Sequence, residues 1–263
     1  MGDNRENWIV SYPDDGNSVC FDMEDISFWY QHRNECLIEA MKANHFPKDF
    51  LDIGGGNGIT ALAMQNAGYD VTLVEPYLSG IENAKRRGIR STIQSTLEDY
   101  VKQATGTAPA AGFFDVMEHI KNDRAFLENV NSLLVPNGQI MLTVPAFSSL
   151  WSENDVQLGH FRRYTLGQLT DLLTKTGFEV TYKTYFFSLV WVPMWFARVL
   201  PEKFGIKKNN TPEKKRNEHM VGRPGTARIL RKLLSWEAKA IRSKSRIPFG
   251  TSCLIVARKT RDL

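Results

Sequence analysis

The chain has 263 residues, 42% of them apolar, which is enough to bury the core of one large α/β domain. Its three cysteines are far apart and form no C-x-x-C pair, which argues against a disulfide framework or a zinc site. The net charge of +4 hides an asymmetry, because residues 198–263 carry 18 Lys and Arg against 5 Asp and Glu, a balance of +13. Such a segment either meets something anionic or forms a solvated basic face. With no signal peptide and no apolar run of membrane length, we expect a cytoplasmic protein, with or without peripheral contact to the inner face of the membrane.

The predicted elements start with a loose leader and a helix over 25–43, here called the lid helix, which together make up residues 1–45. The main domain, residues 46–263, then alternates strands with helices, as a parallel doubly wound sheet does. The predicted strands span 49–53, 70–75, 89–93, 110–116, 139–144 and 178–187, and the predicted helices span 59–67, 79–87, 123–134 and 165–175. After residue 187 we predict a helical basic insert over about 188–248, with its main helix at 226–243, and a last strand at 251–258.

The loop after the first strand has the composition of a cofactor site, because glycines let backbone N–H groups and a helix N-terminus approach a ligand closely. Its glycines are Gly54, Gly55, Gly56 and Gly58. A dinucleotide site has the spacing G-x-G-x-x-G, but Ile59 stands where the third glycine would be. The loop therefore predicts a cofactor without a pyrophosphate, whose amino-acid end would place its ammonium at the carboxylate of Asp52.

Three more residues complete the predicted cofactor site. Glu75 ends the second strand, where a carboxylate can accept both ribose hydroxyls. Thr96 and Leu97 follow the third strand, where an adenine ring would lie against Leu97. The alternative for the glycines is a tight turn without a ligand, but the combination of Asp52, the glycines and Glu75 favours a ligand.

Three stretches resemble class I S-adenosylmethionine-dependent methyltransferases. Residues 50–58 resemble their motif I, residues 114–120 resemble the signature after their fourth strand, and residues 136–145 resemble their fifth-strand hairpin. The resemblance implies a Rossmann-like sheet of seven strands, parallel except for an antiparallel last strand between strands five and six. The acid common in the family's fourth strand is missing near Pro109, so the start of that strand stays open.

The same resemblance implies S-adenosylmethionine as the cofactor, with Phe114 beside it. The lid helix resembles that of a bacterial branch of the family, which implies that Arg33 meets the cofactor carboxylate while the neighbouring aromatic side chains cover it. For Trp29, ordinary packing is the alternative.

The first catalytic candidates, Glu118 and His119, follow the fourth strand. His119 is a candidate general base for a phenol or hydroxyl acceptor. Together with Asp115, the spacing also resembles the metal ligands of ubiquinone-pathway O-methyltransferases, but we predict no bound metal. The alternative is that Glu118 caps a helix and His119 shapes the cofactor pocket.

A second group of charged residues follows the fifth strand, where the substrate would bind. His160 is the other catalytic candidate, and Arg162 and Arg163 could bind an anionic substrate. The alternative is a clamp between Asp155 and an arginine that pins the loop, with Thr165 as the N-cap of the next helix.

The insert combines tryptophans with a basic amphipathic helix, which suits an anionic membrane surface or a lipid-linked substrate. The predicted basic side of the helix comprises Arg228, Arg231, Lys232, Lys239 and Arg242, and the predicted apolar side comprises Ile229, Leu230, Leu233, Leu234, Ala240 and Ile241. The alternatives are a cap over the active site and a dimer face. No recognition motif is present, so we predict no nucleic-acid partner.

Overall, the sequence predicts an S-adenosylmethionine-dependent methyltransferase that methylates an oxygen of a small-molecule or of a lipid- or quinone-linked acceptor. Two alternatives remain: an NAD(P)-dependent oxidoreductase on the same fold, and a non-catalytic, membrane-associated protein that binds S-adenosylmethionine. The sequence does not predict the oligomeric state.

Overall fold

The computed structural model describes Phe21, residues 24–194 and residues 224–262, without the side chains of 192–194 and 224–231. The predictions for most of the leader, for the middle of the insert and for the side chains of Arg228 and Arg231 lie outside the described residues. No described helix combines the length and the apolarity needed to cross a bilayer.

The described strands form one seven-stranded sheet in the order β3-β2-β1-β4-β5-β7-β6. The strands are β1 (Asp49–Ile53), β2 (Asp70–Glu75), β3 (Ser91–Gln94), β4 (Ala108–Phe114), β5 (Leu134–Pro145), β6 (Phe178–Phe186) and β7 (Ser252–Lys259). β7 is antiparallel to both of its neighbours, β5 and β6, while the other pairs are parallel. The predicted sheet and the position of its last strand are confirmed.

Helices cover both faces of the sheet. They are α1 (Phe28–Ala43), α2 (Ile59–Asn66), α3 (Leu78–Arg86), α4 (Leu97–Ala104), α5 (Asp123–Leu133), α6 (Glu153–Gln157), α7 (Leu166–Lys175), α8 (Ser188–Met194) and α9 (Pro224–Arg242). One apolar core lies between the sheet and α1, α2, α3 and α9, and a second lies between the sheet and α4, α5 and α7. β4 and β7 are buried along almost their whole length, as central strands with both faces covered should be.

Several predicted elements differ from those in the structure. The lid helix begins at Phe28 rather than at residue 25, and β4 runs over Ala108–Phe114 rather than 110–116, with a bulge beside Ala108. No helix was predicted over Leu97–Ala104, where α4 lies. Leu233 was placed on the apolar side of the basic helix but is 54% exposed, because the buried stripe of α9 runs through Leu234, Ala238 and Ile241.

The carboxyl ends of the parallel strands meet at one edge of the sheet, here called the carboxyl edge. Ligands of doubly wound sheets bind at this edge. The loops that follow β1, β2, β4 and β5 all start there, so the predicted site residues are brought to the same end of the molecule.

Candidate functional site

The glycine-rich loop connects β1 to α2 at the carboxyl edge. Gly54, Gly56 and Gly58 all have positive φ angles, of 70°, 53° and 79°. Gly54 also shows why a side chain is excluded, since an added Cβ would lie 2.9 Å from a methyl group of Val116, just beyond β4. Gly55 packs against Asp52 and Leu73. The loop therefore lies directly against the segment that carries the catalytic candidates.

Asp52 lies at the base of the loop, fully buried, and its Oδ2 has no hydrogen-bond partner. Burial is the main reason why the pKa of its carboxyl group is raised to about 7. The positive charge of Arg33 works to lower this pKa, and the negative charge of Glu75 works to raise it. A buried carboxylate oxygen without a donor is costly unless a ligand supplies one. The geometry therefore fits a cationic or N–H group placed in the loop.

Glu75 closes the other side of the loop. One of its carboxylate oxygens accepts the N–H of Gly56 at 3.0 Å, and the other accepts the N–H of Tyr77 at 3.1 Å. Burial raises the pKa of Glu75, and these two N–H groups counteract the rise. Because each carboxylate oxygen has two lone pairs, the fixed carboxylate can still accept hydroxyl groups from a ligand.

Arg33 links α1 to the carboxyl edge. Its Nη1 donates to Asp115 at 2.5 Å and its Nη2 donates to the hydroxyl of Thr60 at 2.7 Å. Asp115 follows β4 directly, and Thr60 lies in the first turn of α2. The lid helix thus places a buried positive charge between the glycine-rich loop and the end of β4, and the contact of Arg33 with the cofactor carboxylate stays a prediction.

Glu118 and His119 form a short 3₁₀ turn after β4 and are both buried. Neither carboxylate oxygen of Glu118 has a hydrogen-bond partner among the described residues, and burial, together with the charge of Asp115, raises its pKa well above the ordinary value. Burial and then the neighbouring His160 lower the pKa of His119 to about 3. At neutral pH His119 is therefore a neutral imidazole beside a buried carboxyl group whose ionisation is disfavoured.

His160 faces His119 edge-on, with 4.8 Å between the ring centres. Its Nδ1 lies 2.8 Å from Oδ1 of Asp155. Arg163 donates to the same carboxylate, from Nε to Oδ1 at 2.8 Å and from Nη2 to Oδ2 at 3.0 Å. Burial works to raise the pKa of Asp155, but these hydrogen bonds leave it below the ordinary value. An ionised Asp155 holds the proton of His160 on Nδ1, so that Nε2 is left as the acceptor.

The comparisons with known proteins agree with this geometry. Residues 29–183, more than half of the chain, match the family described as "Methyltransferase domain". The chain belongs to this methyltransferase family. The resemblance to class I S-adenosylmethionine-dependent methyltransferases is confirmed, and S-adenosylmethionine is the cofactor of the class.

Individual relatives of this methyltransferase cover only part of it. The ubiquinone biosynthesis O-methyltransferase of Rickettsia felis is 29% identical over 119 residues, which cover 42% of this chain and 48% of that protein. The chain thus spans about half the length of the curated relatives it matches. Two solved structures share the fold, each covering 95% of the chain with a TM-score of 0.56. The phosphoethanolamine N-methyltransferase 2 of Haemonchus contortus is 17% identical with 58% of its chain covered, and the plantazolicin methyltransferase BamL is 16% identical with 92% covered.

The remaining predicted cofactor residues of the methyltransferase take different positions. Thr96 is exposed, and its hydroxyl accepts the N–H of Asp99 as the N-cap of α4. Leu97 is buried in the first turn of that helix. The ring of Phe114 is buried and stacks on that of Phe50 in the core, with 6.5 Å between the ring centres. The roles of these three residues toward the adenine stay predictions.

The loop after β5 shows the contacts of the predicted clamp. Arg163 is bound to Asp155, and Arg162 is bound to Asp123 at 2.7 Å. Thr165 caps α7 together with Gln168. Because both guanidinium groups already have carboxylate partners, the structure favours a pinned loop over a grip on an anionic substrate.

Two described clusters have distances compatible with a metal ion, since their possible ligand atoms lie within 4.8 Å of one another. One consists of Glu118, His119 and His160, and the other of His32, Cys36 and Glu237. In the second cluster, the Nε2 of His32 lies 2.9 Å from Glu237, which ties α1 to α9. The absence of a metal stays a prediction.

Sequence reasoning did not connect Glu237 to the site. It is fully buried, and besides His32 it accepts the backbone N–H groups of Phe187 and Ser188 just after β6. Its signal in the sequence was weak but present, because it is the one acidic residue in the basic helix. Trp29 stacks on Phe187 at 3.7 Å, which is the ordinary packing considered for it.

Proposed function

We propose that the chain transfers the methyl group of S-adenosylmethionine to a phenol or hydroxyl oxygen of a small-molecule or lipid-linked acceptor. The observation that carries the choice of oxygen is the Asp155–His160 pair beside His119, at the end of the sheet where the glycine-rich loop lies. The names of the curated relatives, ubiquinone O-methyltransferases, support it at low identity. The NAD(P) alternative has no support from the family match.

In an in-line displacement of this kind, one group of residues would bind the cofactor and another would act on the acceptor. The loop, Asp52 and Glu75 would hold the cofactor, which would supply an electrophilic methyl group. Alignment supplies most of the rate enhancement in such a reaction, because the sulfonium is already a good leaving group. An oxygen acceptor gains further if its proton is removed as the new bond forms.

His160 suits the removal of that proton better than His119. Its Nδ1 is engaged by Asp155, so its Nε2 can accept a proton, and the resulting imidazolium is stabilised by the carboxylate. A base whose conjugate acid has a pKa of about 3, as His119 has, is too weak for a phenol. We assign His119 and the buried Glu118 to shaping the pocket wall against which the acceptor lies.

His160→Asn is expected to lower kcat by about 10²- to 10⁴-fold, because an amide can donate to Asp155 as the imidazole does but cannot accept the acceptor's proton. Affinity for S-adenosylhomocysteine should stay unchanged. The measurement is transfer of labelled methyl to a catechol probe, 3,4-dihydroxybenzoate, and to a lipid extract, combined with calorimetry. His45→Asn, an exposed histidine before β1, is the control. Equal turnover in His160→Asn and the parent would remove His160 as the base, and transfer only to amine or thiol probes would refute the oxygen acceptor.

The pH dependence of cofactor affinity tests the role of Asp52. Its pKa of about 7 means that the free protein must lose a proton from Asp52 to pair with the cofactor ammonium. Affinity for S-adenosylhomocysteine is therefore expected to rise by up to about tenfold per pH unit below pH 7 and to level off above it. In Asp52→Asn this rise should disappear, whereas Asp49→Asn, an exposed site at the start of β1, should keep it. Identical calorimetric pH profiles for the parent and Asp52→Asn would contradict the assignment.

A further inference from the structure

The exposed apolar side chains of the described residues are concentrated at one end of the molecule. Nine large apolar side chains are exposed: Ile26, Leu78, Val156, Leu158, Phe161, Leu189, Leu233, Trp236 and Phe249. Six of them lie in segments that directly follow β2, β5 or β6, or directly precede the antiparallel β7, and these segments start or end at the carboxyl edge. None of the described connections at the opposite edge of the sheet carries an exposed large apolar side chain.

The other three lie at the same end because of how α1 and α9 run. Arg33 reaches Asp115 at the carboxyl edge, and α1 then runs away from this edge toward the start of β1. Glu237 contacts His32, and Arg242, further along α9, contacts Glu39, further along α1. The two helices therefore run in the same direction. Ile26, just before α1, and Leu233 and Trp236, before Glu237 in α9, thus lie at or beyond the carboxyl edge.

The exposed side of α9 is positively charged. On the exposed side of α9, Lys232 and Lys239 flank Leu233 and Trp236. The one acidic residue between 232 and 246, Glu237, is buried. A tryptophan and a leucine between lysines on a helix face match the interface of a bilayer, where the ring sits at headgroup level and the ammonium groups meet anionic lipids.

We infer that the carboxyl edge is a docking face for an anionic membrane surface, with α9 as its electrostatic contact. Apolar side chains contributed by several separate segments around the mouth of the site would then rest in the headgroup layer. The inference rests on the proposed function in one respect, which is that a lipid-linked acceptor would be located in the bilayer. The site would then open toward the bilayer. Docking itself is measured without methyl transfer, so either proposal can fail alone.

The test is flotation of the full chain with vesicles of phosphatidylcholine alone, or of phosphatidylcholine and phosphatidylglycerol in equal parts. The parent is expected to float with the anionic vesicles and to be released by added salt, because exposed charges are screened. Joint replacement of Lys232→Gln and Lys239→Gln should weaken this binding about 30-fold, as expected for two lysines at an anionic surface. Lys102→Gln with Lys175→Gln, exposed lysines in the last turns of α4 and α7, changes the net charge equally and should leave binding near the parent's.

Leu233→Ser with Trp236→Ser tests the apolar part of the face, and both side chains are exposed enough to be replaced without unfolding the core. This variant should also lose vesicle binding while keeping the parent's circular dichroism. No binding by the parent to anionic vesicles, equal binding to both vesicle types, or an equal loss in the control lysine variant would overturn the inference. So would a dimer in sedimentation that Leu233→Ser with Trp236→Ser dissociates without changing vesicle binding, since the face would then belong to a second copy.

Discussion

Gly56→Val is expected to abolish measurable binding of S-adenosylhomocysteine, with a loss on the order of a hundredfold or more. Gly56 has a φ of 53°, which a β-branched residue adopts only under strain, and its N–H holds the carboxylate of Glu75 at 3.0 Å. Valine would push the backbone out of this conformation and release Glu75 from the position in which it can accept the ribose hydroxyls. Calorimetric titration measures the effect directly.

Gly106→Val is the control that distinguishes a local loss of the cofactor site from a general loss of stability. Gly106 has a φ of 68°, lies before β4 at the opposite edge, and has nothing within 4 Å of an added Cβ. This variant carries a similar backbone strain and should bind S-adenosylhomocysteine as the parent does. If Gly56→Val also kept the parent's affinity, the glycine-rich loop would not be the cofactor site.

Asp155→Ala is expected to lower the free energy of unfolding by about 3–5 kcal/mol, because it leaves the guanidinium of Arg163 buried and without its carboxylate. Asp155 is fully buried and binds both His160 and Arg163. Urea unfolding, followed by circular dichroism, measures the change. The matched control is Glu179→Ala, which breaks the exposed pair with Arg258 and should cost only about 0–1 kcal/mol. A similar small cost in both variants would contradict the clamp.

The contribution of Asp155 to the free energy of unfolding is expected to depend on pH. The hydrogen bonds hold the pKa of Asp155 below its unfolded value, so its contribution to stability is present above the unfolded pKa and is lost as the pH falls through the folded pKa. The difference between the parent and Asp155→Ala should therefore be full at neutral pH. It should shrink as the pH falls below about 4, the ordinary pKa of an aspartate.

The sheet was predictable because its signals are local. A strand, a turn residue and a helix follow each other within short stretches, and β7 shows an unbroken apolar run. The start of β4 shifted by two residues because its pairing with β5 contains a bulge, which no pattern within one strand encodes. For α4 the signal existed, since Leu97, Tyr100, Val101 and Ala104 follow helical spacing. The sequence analysis instead assigns Leu97 a contact with the adenine ring and predicts no helix there.

The candidate site was predictable in part, for the same reason. The loop led by Asp52 is contiguous in the sequence, and Glu75 follows from its place at a strand end. The contact between Arg33 and Asp115 joins residues 82 positions apart, and Glu237 lies 205 positions from His32. Only the folded chain decides such pairs, because the local sequence does not specify which distant partner a buried charge will find.

The position of β7 also has a consequence for synthesis on the ribosome. β7 fills the gap between β5 and β6, yet it begins more than 100 residues after β5 ends. While the intervening segment is being translated, β5 and β6 both present unpaired backbone edges, which are templates for pairing with other chains. A nascent chain is therefore most prone to aggregate after β5 and β6 have been translated and before β7 is available, and a chaperone that shields strand edges in that interval should raise the yield of folded protein.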